Sequence, residues 1–150
     1  MKKKILHVVP TLKKDGAETQ LVILLKELKK NDEFIELVTF DLFEEGESIE
    51  SSLIDLDITI DVFNRNIFTT ILYLNRKIKE RNYDLVHSHL PRADIAVGVV
   101  SFFSRFQHVV SVHAQYGTRK GESGPKYILL IPLWRWIIRR ADSVIAISEK

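Results

Sequence analysis

Residues 5–30 read ILHVVPTLKKDGAETQLVILLKELKK, and this stretch decides the fold. Its first five residues form a short apolar run rich in β-branched side chains, which Pro10 ends, as is typical of a buried strand. Over residues 17–30 the apolar side chains return with the spacing of one helix face, while the charged side chains lie elsewhere. The residues on that face are Ala17, Leu21, Leu24, Leu25 and Leu28. A strand followed by an amphipathic helix is the repeating unit of parallel α/β proteins.

The same alternation continues along the chain. Further strand-like runs occupy 34–40, 58–63, 85–89, 109–113 and 143–147, and further helix-like segments occupy 47–56, 67–82, 93–105 and 127–140. The sequence therefore predicts an α/β domain in which strands and helices strictly alternate. Because helical crossovers join parallel strands, we expect a doubly wound, mostly parallel Rossmann-like sheet. The expected strand order is 3-2-1-4-5-6, with helices on both faces and right-handed crossovers.

The composition is that of one globular domain. The chain has 150 residues, of which 45% are hydrophobic and 28% are charged. Its 22 Lys and Arg nearly balance its 20 Asp and Glu, so a net charge of +2 gives no sign of a nucleic-acid partner. Cysteine is absent, which excludes a disulfide framework, a thiol nucleophile and a thiolate metal site.

The distribution of apolar residues bears on where the protein resides. No apolar stretch approaches the ~18 residues of a membrane span, and the first apolar run is too short for a secretory signal. We therefore expect a cytoplasmic protein. Ser148 and Glu149 resemble the start of a further helix, so the architecture is expected to continue past residue 150.

Ligands of open α/β sheets bind outside the carboxyl ends of the strands, where the strand order reverses. In the predicted order this crevice lies between the first and fourth strands. The loops at 10–16, 89–92 and 113–124 should converge on it. We therefore expect a group of polar residues and glycines to lie near one another there, namely Gly16, His89, Arg92, His113 and Gly117.

The first of these loops contains a single glycine. Gly16 would open a helix whose free N–H groups favour an anion such as a phosphate. The alternative is that Asp15 or Gly16 only caps the helix. The loop matches neither the G-x-G-x-x-G dinucleotide motif nor the G-x-x-x-x-G-K-[ST] phosphate loop, so both of those classes are excluded.

Three histidines lie on two predicted strands, and two of them lie at strand ends. His87 and His89 are two residues apart on one strand and so share a face, and His113 ends the next strand. No carboxylate pair completes a ligand set, so we expect neither a metal site nor a cofactor. The alternatives are a packed core histidine and a polar contact to a ligand. His113 is the better functional candidate because the end of a strand reaches the crevice.

Residues 119–140 are basic and aromatic. They contain six Lys and Arg against Glu122 alone, and they include Trp134 and Trp136. A helix of this kind can lie on an anionic membrane surface. The alternative is a half-buried helix whose tryptophans pack on the sheet and whose arginines are solvated.

Four segments, in order along the chain, resemble the N-terminal domain of family-4 retaining glycosyltransferases, which have the GT-B architecture of two facing Rossmann-like domains. They are KILHVVP at 4–10 with DGAE at 15–18, DLVHSH at 84–89, VVSVH at 109–113, and ADSVIAISE at 141–149. The resemblance implies that residues 1–150 are the acceptor-side half of a GT-B fold. The C-terminal domain, which binds most of the donor, would then lie outside this chain.

The resemblance also implies roles for individual residues. Gly16 would offer its backbone to the donor's phosphate, and His113 would contact the transferred sugar near the reacting centre. Thr11, His89 and Arg92 would lie by the acceptor. The first loop departs from the family, which often has two glycines where this chain has Asp15 and Gly16. A carboxylate there would repel a phosphate.

The function that the resemblance implies is transfer of a sugar, with retention, from a nucleotide sugar to a saccharide or lipid-linked acceptor. A role in surface polysaccharide synthesis, on the inner face of the membrane, would fit. No metal is needed, and without the donor domain this chain alone should be inactive. The alternatives are a subunit of a split glycosyltransferase and a non-catalytic module that binds a membrane surface. A small nucleotide-binding α/β protein of another family is a third.

Overall fold

The computed structural model describes residues 2–14, 16–31, 33–41, 48–113 and 125–146. Within these ranges the chain forms alternating strands and helices. The strands are β1 (Lys4–Val9), β2 (Phe34–Thr39), β3 (Thr59–Val62), β4 (Leu85–His89), β5 (Gln107–Val112) and β6 (Ser143–Ala146). The helices are α1 (Gly16–Lys30), α2 (Glu50–Ile54), α3 (Ile67–Arg81), α4 (Pro91–Val100) and α5 (Pro125–Arg140).

The strands form one sheet in the order β3-β2-β1-β4-β5-β6, and every pair in it is parallel. This confirms the predicted Rossmann-like topology. The strand order reverses between β1 and β4, which lie side by side at the centre of the sheet. Their register places His7 of β1 directly opposite His87 of β4.

The sheet has a hydrophobic core on each face. On one face Leu6, Val8 and Val86 pack with residues of α3 and α4, such as Leu74 and Val97. On the other face the core joins strand residues to α1 and α2, and its members include Val9, Leu37, Leu21, Leu25 and Leu53. Successive residues of β1 enter opposite cores because side chains alternate along a strand.

Two helices differ most from their predicted bounds. α2 spans Glu50–Ile54 rather than 47–56, with a turn at 55–57, and residue 47 lies outside the described residues. α4 begins at Pro91 rather than at 93, because proline has no N–H to lose in the first turn of a helix. It ends at Val100 rather than at 105, and the chain then tightens into i to i+3 bonds at Phe102 and Phe103. Within the described residues, no helix is long and apolar enough to cross a membrane.

Candidate active site at the carboxyl ends of the strands

The loop after β1 is tied to the residues that follow β2. The backbone N–H groups of Phe40 and Asp41 both donate to the carbonyl of Pro10, at 3.2 and 2.9 Å. Further along the loop, the carbonyl of Leu12 accepts from Ile49 at 2.9 Å. The hydroxyl of Thr11 accepts from the N–H of Lys13 at 3.1 Å and so stabilises the loop itself. These bonds fix one wall of the predicted crevice.

Arg92 lies in the first turn of α4 and reaches the same wall. Its Nη1 is 2.8 Å from Oδ1 of Asp41, and the guanidinium lies 5.5 Å from the centre of the Phe40 ring. Both members of the ion pair are partly exposed, so the pair forms part of the rim. The sequence analysis did not single out Asp41. Its position directly beyond a predicted strand was the available signal, since such positions face the crevice.

Four histidines lie in a row across the centre of the sheet, and we call His7, His87, His89 and His113 the histidine row. The ring centres are 5.0 Å apart for His7 and His87, 4.2 Å for His87 and His89, and 5.8 Å for His89 and His113. The predicted neighbours His89 and His113 are therefore brought together. His7 could not be identified from the sequence, because its place in the row depends on the register between β1 and β4.

Hydrogen bonds hold the inner part of the histidine row. Nδ1 of His7 and Nε2 of His89 are 3.1 Å apart, and Nε2 of His87 is 2.8 Å from the hydroxyl of Ser111. A bond between two imidazoles needs one nitrogen that donates and one that accepts, which neutral rings provide. Burial, and then the neighbouring histidines, hold the pKa values of His7 and His89 well below the ordinary value. The same causes, burial first, lower the pKa of His87 to about 4.

His113 follows β5 directly and is the histidine of the row that is not fully buried. Burial lowers its pKa, so it too is neutral near pH 7. Its Nε2 is enclosed and has no partner among the described residues. The loop that follows, 114–124, lies outside the described residues, and with it Gly117. His113 therefore forms the less buried end of the histidine row.

Gly16 is the first residue of α1 and is exposed. The predicted helix start is thus confirmed, and its N–H groups carry the positive end of the helix dipole. Asp15, the predicted departure from the family pattern, lies outside the described residues. Whether Gly16 also contacts a phosphate stays a prediction.

Among the described residues, His7, His87 and His89 form the group whose side chains could hold a metal ion. One nitrogen of each lies within 4.8 Å of the others. Three imidazoles are the ligand set of some catalytic zinc sites. The sequence pattern points to His113 rather than His7 as the third histidine of the group. His7 and His89 each use one nitrogen in the hydrogen bond between them, and His87 uses one nitrogen in its bond to Ser111. Hydrogen bonding alone therefore explains why these three rings lie together.

A second buried network lies on the α3, α4 and α5 face of the sheet. The hydroxyl of Ser88 donates to Asp94 at 2.7 Å and lies 3.0 Å from Nε2 of His108. The indole N–H of Trp134 donates to the other oxygen of Asp94 at 2.7 Å. Burial raises the pKa of Asp94 to about 7, and the two donors oppose that rise. The carboxyl group binds Ser88 rather than His108, and all these groups are buried, so the network ties elements together and does not form a nucleophilic triad.

For Trp134, this network decides between the two interpretations of the basic segment. Trp134 is 6% exposed and faces α4, so it cannot contact a membrane, whereas Trp136 is 46% exposed. For Trp134 the alternative of a tryptophan packed within the domain is right. Tyr127 and the residues at 119–124 have no described side chains.

The fold places the chain among the Rossmann-like domains before any comparison. A parallel sheet in the order 3-2-1-4-5-6, with polar residues where that order reverses, is a Rossmann-like domain, and GT-B glycosyltransferases contain two domains of this kind. The family model described as Glycosyltransferase Family 4 matches residues 14–150. The chain therefore belongs to Glycosyltransferase Family 4.

Solved structures show the same fold. HepE from Anabaena, in complex with UDP, superposes with a TM-score of 0.73 at 20% identity, over 97% of this chain and 38% of that one. A glycosyltransferase from Rickettsia africae gives 0.64 at 18% identity, over 99% and 43%. MurG from Acinetobacter baumannii gives 0.67 at 11% identity, over 99% and 42%. The chain thus spans about two fifths of the length of these proteins. No curated protein sequence matches the chain significantly.

Proposed function

We propose that the chain is the acceptor-side domain of a retaining glycosyltransferase, which moves a sugar from a nucleotide sugar to a saccharide or lipid-linked acceptor. The observation that carries the proposal is the family match over residues 14–150, nearly the whole chain. HepE has been solved with UDP and with UDP-glucose, which supports a nucleotide sugar as the donor. A lipid-linked acceptor would place the protein at the cytoplasmic face of the membrane, in the synthesis of a surface polysaccharide.

In this proposal most of the nucleotide is held by a second domain, outside these 150 residues. The chain alone would then bind acceptor but complete no transfer. Gly16 would contribute the N–H groups at the start of α1 to the donor's diphosphate, where the helix dipole favours negative charge.

The acceptor would lie against the wall formed by Thr11, Asp41 and Arg92. The guanidinium of Arg92 is partly exposed and bound to a single carboxylate, so an acceptor phosphate or carboxylate could replace Asp41 as its partner. His89 is buried and bound to His7, so it would act on the acceptor side by holding the ring next to it, His113.

His113 is the residue that we propose touches the reacting sugar. It is neutral, and it lies at the carboxyl end of β5 beside the switch point. A neutral imidazole can donate or accept one hydrogen bond as charge develops at the anomeric carbon and the leaving phosphate. No metal takes part in this proposal.

The test is the His113→Ala variant of the full-length protein that contains this chain. We expect kcat to fall ~10- to 1,000-fold while the melting temperature changes little, because a half-buried side chain beyond a strand contributes little to the core. The assay measures transfer from radiolabelled UDP-glucose, or from the donor found by screening nucleotide sugars.

The matched control is Gln107→Ala, an exposed residue at the opposite end of the same strand. It should retain wild-type kcat and KM. Wild-type turnover in the His113→Ala variant would remove His113 from the reacting centre. Absence of transfer from any nucleotide sugar by the wild-type protein would contradict the proposed function itself.

A further inference from the structure

Buried polar atoms without partners are gathered on one face of the sheet. Among the described residues, the buried side-chain nitrogens and oxygens that lack a hydrogen bond belong to His7, Gln20, Thr39, His89 and His113. The register pairs His7 with Leu37, which packs in the core on the α1 face, so the histidine row and Thr39 face α1. Gln20 belongs to α1 itself. Buried polar atoms are nearly always bonded, so such a group calls for an explanation, such as a bound ion.

The bond between His7 and His89 leaves each of these rings half satisfied. Nδ1 of His7 and Nε2 of His89 are 3.1 Å apart, but Nε2 of His7 and Nδ1 of His89 are buried without a partner. In a neutral imidazole one nitrogen carries a proton and the other carries a lone pair. The ring that donates in the bond therefore keeps a buried lone pair that accepts no proton donor. Hydrogen bonds hold the rings together, but they do not satisfy them.

The spacing of these rings is close to that of the ligands of a tetrahedral metal ion. We call His7, His87 and His89 the three-histidine group, in which one nitrogen of each ring lies within 4.8 Å of the others. Two nitrogens on a tetrahedral Zn²⁺ lie about 3.3 Å apart, since each Zn–N distance is about 2.0–2.1 Å. The 3.1 Å between Nδ1 of His7 and Nε2 of His89 is already near that value. An ion can therefore replace the shared proton with little movement of these two rings, and a small rotation of His87 supplies the third nitrogen.

His87 is held in the way that metal-binding histidines are held. Its Nε2 lies 2.8 Å from the hydroxyl of Ser111 on the neighbouring strand. A histidine that binds a metal usually bonds a second group through its other nitrogen, which fixes the ring and its tautomer. Nδ1 of His87 is thus left for an ion. Burial, and then the neighbouring histidines, keep the pKa of each ring in the three-histidine group low, so protons do not occupy the lone pairs near pH 7.

A carboxylate on α1 faces the same side of the sheet. Glu18 is 3% exposed and shares a helix face with Leu21 and Leu25, which pack in the core on that side. A negative group on this face offsets part of the cost of burying a divalent cation. Three imidazoles can hold Zn²⁺ without any carboxylate ligand. The lack of a carboxylate pair, from which the sequence predicts no metal site, therefore does not exclude one here.

We propose that the three-histidine group is a binding site for a single Zn²⁺ ion, which ties β1 to β4 where the strand order reverses. Imidazole nitrogens suit Zn²⁺ and its transition-metal neighbours, whereas Mg²⁺ and Ca²⁺ take oxygen ligands. The ion has no part in the proposed transfer reaction. The proposal therefore stands whether or not the protein transfers sugars.

The first experiment measures metal binding to the full-length protein that contains this chain, without an affinity tag and stripped of metal by a chelator. Zn²⁺ binding is followed by calorimetry, and Co²⁺ serves as a spectroscopic probe because its visible absorption is intense in tetrahedral sites and weak in six-coordinate ones. We expect a tetrahedral Co²⁺ spectrum that Zn²⁺ abolishes and Mg²⁺ does not. Zn²⁺ should also raise the melting temperature, because an ion that binds only the folded state stabilises it.

Substitutions assign the binding to the three-histidine group. His7→Gln and His89→Gln should each weaken Zn²⁺ binding by more than ~100-fold, because loss of a ligand costs more than the ~10- to 100-fold of a lost outer partner. Ser111→Ala removes only the hydroxyl that orients His87 and should weaken binding by ~10- to 100-fold. The matched control is His108→Gln. This histidine is also buried, but it pairs with Val86 on the opposite face of the sheet, so the variant should bind Zn²⁺ as the wild type does.

NMR spectra of the wild-type protein provide a test that does not depend on the folding of any variant. Zn²⁺ should shift the imidazole resonances of the three-histidine group and leave those of His108 unchanged. The site would be overturned by a wild-type protein that binds neither Zn²⁺ nor Co²⁺, by a six-coordinate Co²⁺ spectrum, or by binding that both His7→Gln and His89→Gln retain. Sugar transfer is not among these measurements, so a failure of the proposed function would leave their outcome unchanged.

Discussion

Lys77 of α3 shows how a single residue can hold buried charges together. Its Nζ lies 2.8 Å from Glu36 and 2.6 Å from Asp61, and its side chain is 11% exposed. Tyr83 donates to Glu36, and Tyr73 donates to Asp61 at 2.8 Å. Burial alone would raise the pKa of each carboxyl group, but the bonds from Lys77 and the tyrosines hold both pKa values below their ordinary range.

Replacing Lys77 should therefore be costly. In the Lys77→Met variant two partly or fully buried carboxylates lose their shared cation, and uncompensated buried charges of this kind cost about 3–5 kcal/mol. We expect the free energy of unfolding at pH 7, measured with urea, to fall by roughly that amount. The loss should diminish as the pH falls and the carboxyl groups become protonated, because their lowered pKa values contribute stability only above that range.

The neighbouring Arg76 is the control for this prediction. It forms an ion pair with Glu80 at 2.7 Å, but its side chain is 79% exposed. Arg76→Met should change the free energy of unfolding far less than Lys77→Met does, because water screens exposed pairs. Equal losses of unfolding free energy in the Lys77→Met and Arg76→Met variants would show that the buried network contributes no more than an exposed ion pair.

At the scale of single residues, the sequence predicts where a side chain lies better than it predicts which residue that side chain contacts. The rule that strand ends face the crevice singles out His89, His113 and Arg92, and the structure brings the first two together. It does not identify His7 or Asp41, because their contacts depend on which strand lies beside which residue. Trp134 is predicted as a surface residue or a packed one, and only the position of Asp94 decides between them.

At the scale of elements, hydrophobic periodicity predicts the long helices and the central strands to within about two residues, because their apolar faces are continuous. It predicts too late an end for α4, because the apolar residues Phe102 and Phe103 follow the end of the helix but are exposed. Periodicity cannot tell an apolar side chain that faces the core from one that faces solvent.

The packing of α4 on α5 depends on Gly98. A Cβ atom at this position would lie 2.3 Å from Cγ2 of Ile137, closer than packed atoms approach. Ala is otherwise favoured over Gly in a helix by about 1 kcal/mol. We expect Gly98→Ala to lower the free energy of unfolding by about 1–2 kcal/mol, because overpacking outweighs that preference.

A double-mutant cycle tests the cause. In an Ile137→Ala background the added methyl group has room, so Gly98→Ala should become neutral or stabilising there. Urea unfolding of the four proteins gives the coupling energy. A Gly98→Ala variant as stable as the wild type would show that the two helices separate at little cost.

At the scale of the whole molecule, the histidines together make the stability of the fold depend on pH. The chain has five, and burial lowers the pKa of every one of them, to about 4 for His87 and His108. Asp94 acts in the opposite direction, since burial raises its pKa to about 7. The folded chain therefore binds fewer protons than the unfolded chain as the pH falls below about 6.5.

The protein should consequently lose stability in mild acid. A histidine whose pKa is lowered by folding contributes stability above the unfolded value and loses it as the pH falls. The raised pKa of Asp94 stabilises the folded chain increasingly as the pH falls over the same range. This contribution offsets the loss from about one histidine. We expect the free energy of unfolding to fall by several kcal/mol between pH 7 and pH 5, as measured by urea titration at each pH.

Imidazole resonances in NMR spectra provide the control. Those of His7 and His89 should titrate well below their ordinary pKa in the folded protein and near 6.5 in urea. A protein that is equally stable at pH 7 and pH 5, or buried imidazoles that titrate normally, would contradict this prediction.

Among the described residues, the two edges of the sheet differ in a way that matters for handling this chain. β3 carries Asp61, an ionised side chain held by Lys77, and such inward charges discourage another strand from pairing. All four residues of β6 are exposed, among them Val144 and Ile145, and this strand carries no charge. An uncharged, apolar edge is a template for further strands. In concentrated samples of this chain, we therefore expect aggregation to begin at β6. A lysine placed in this strand would oppose pairing with another chain without touching the crevice.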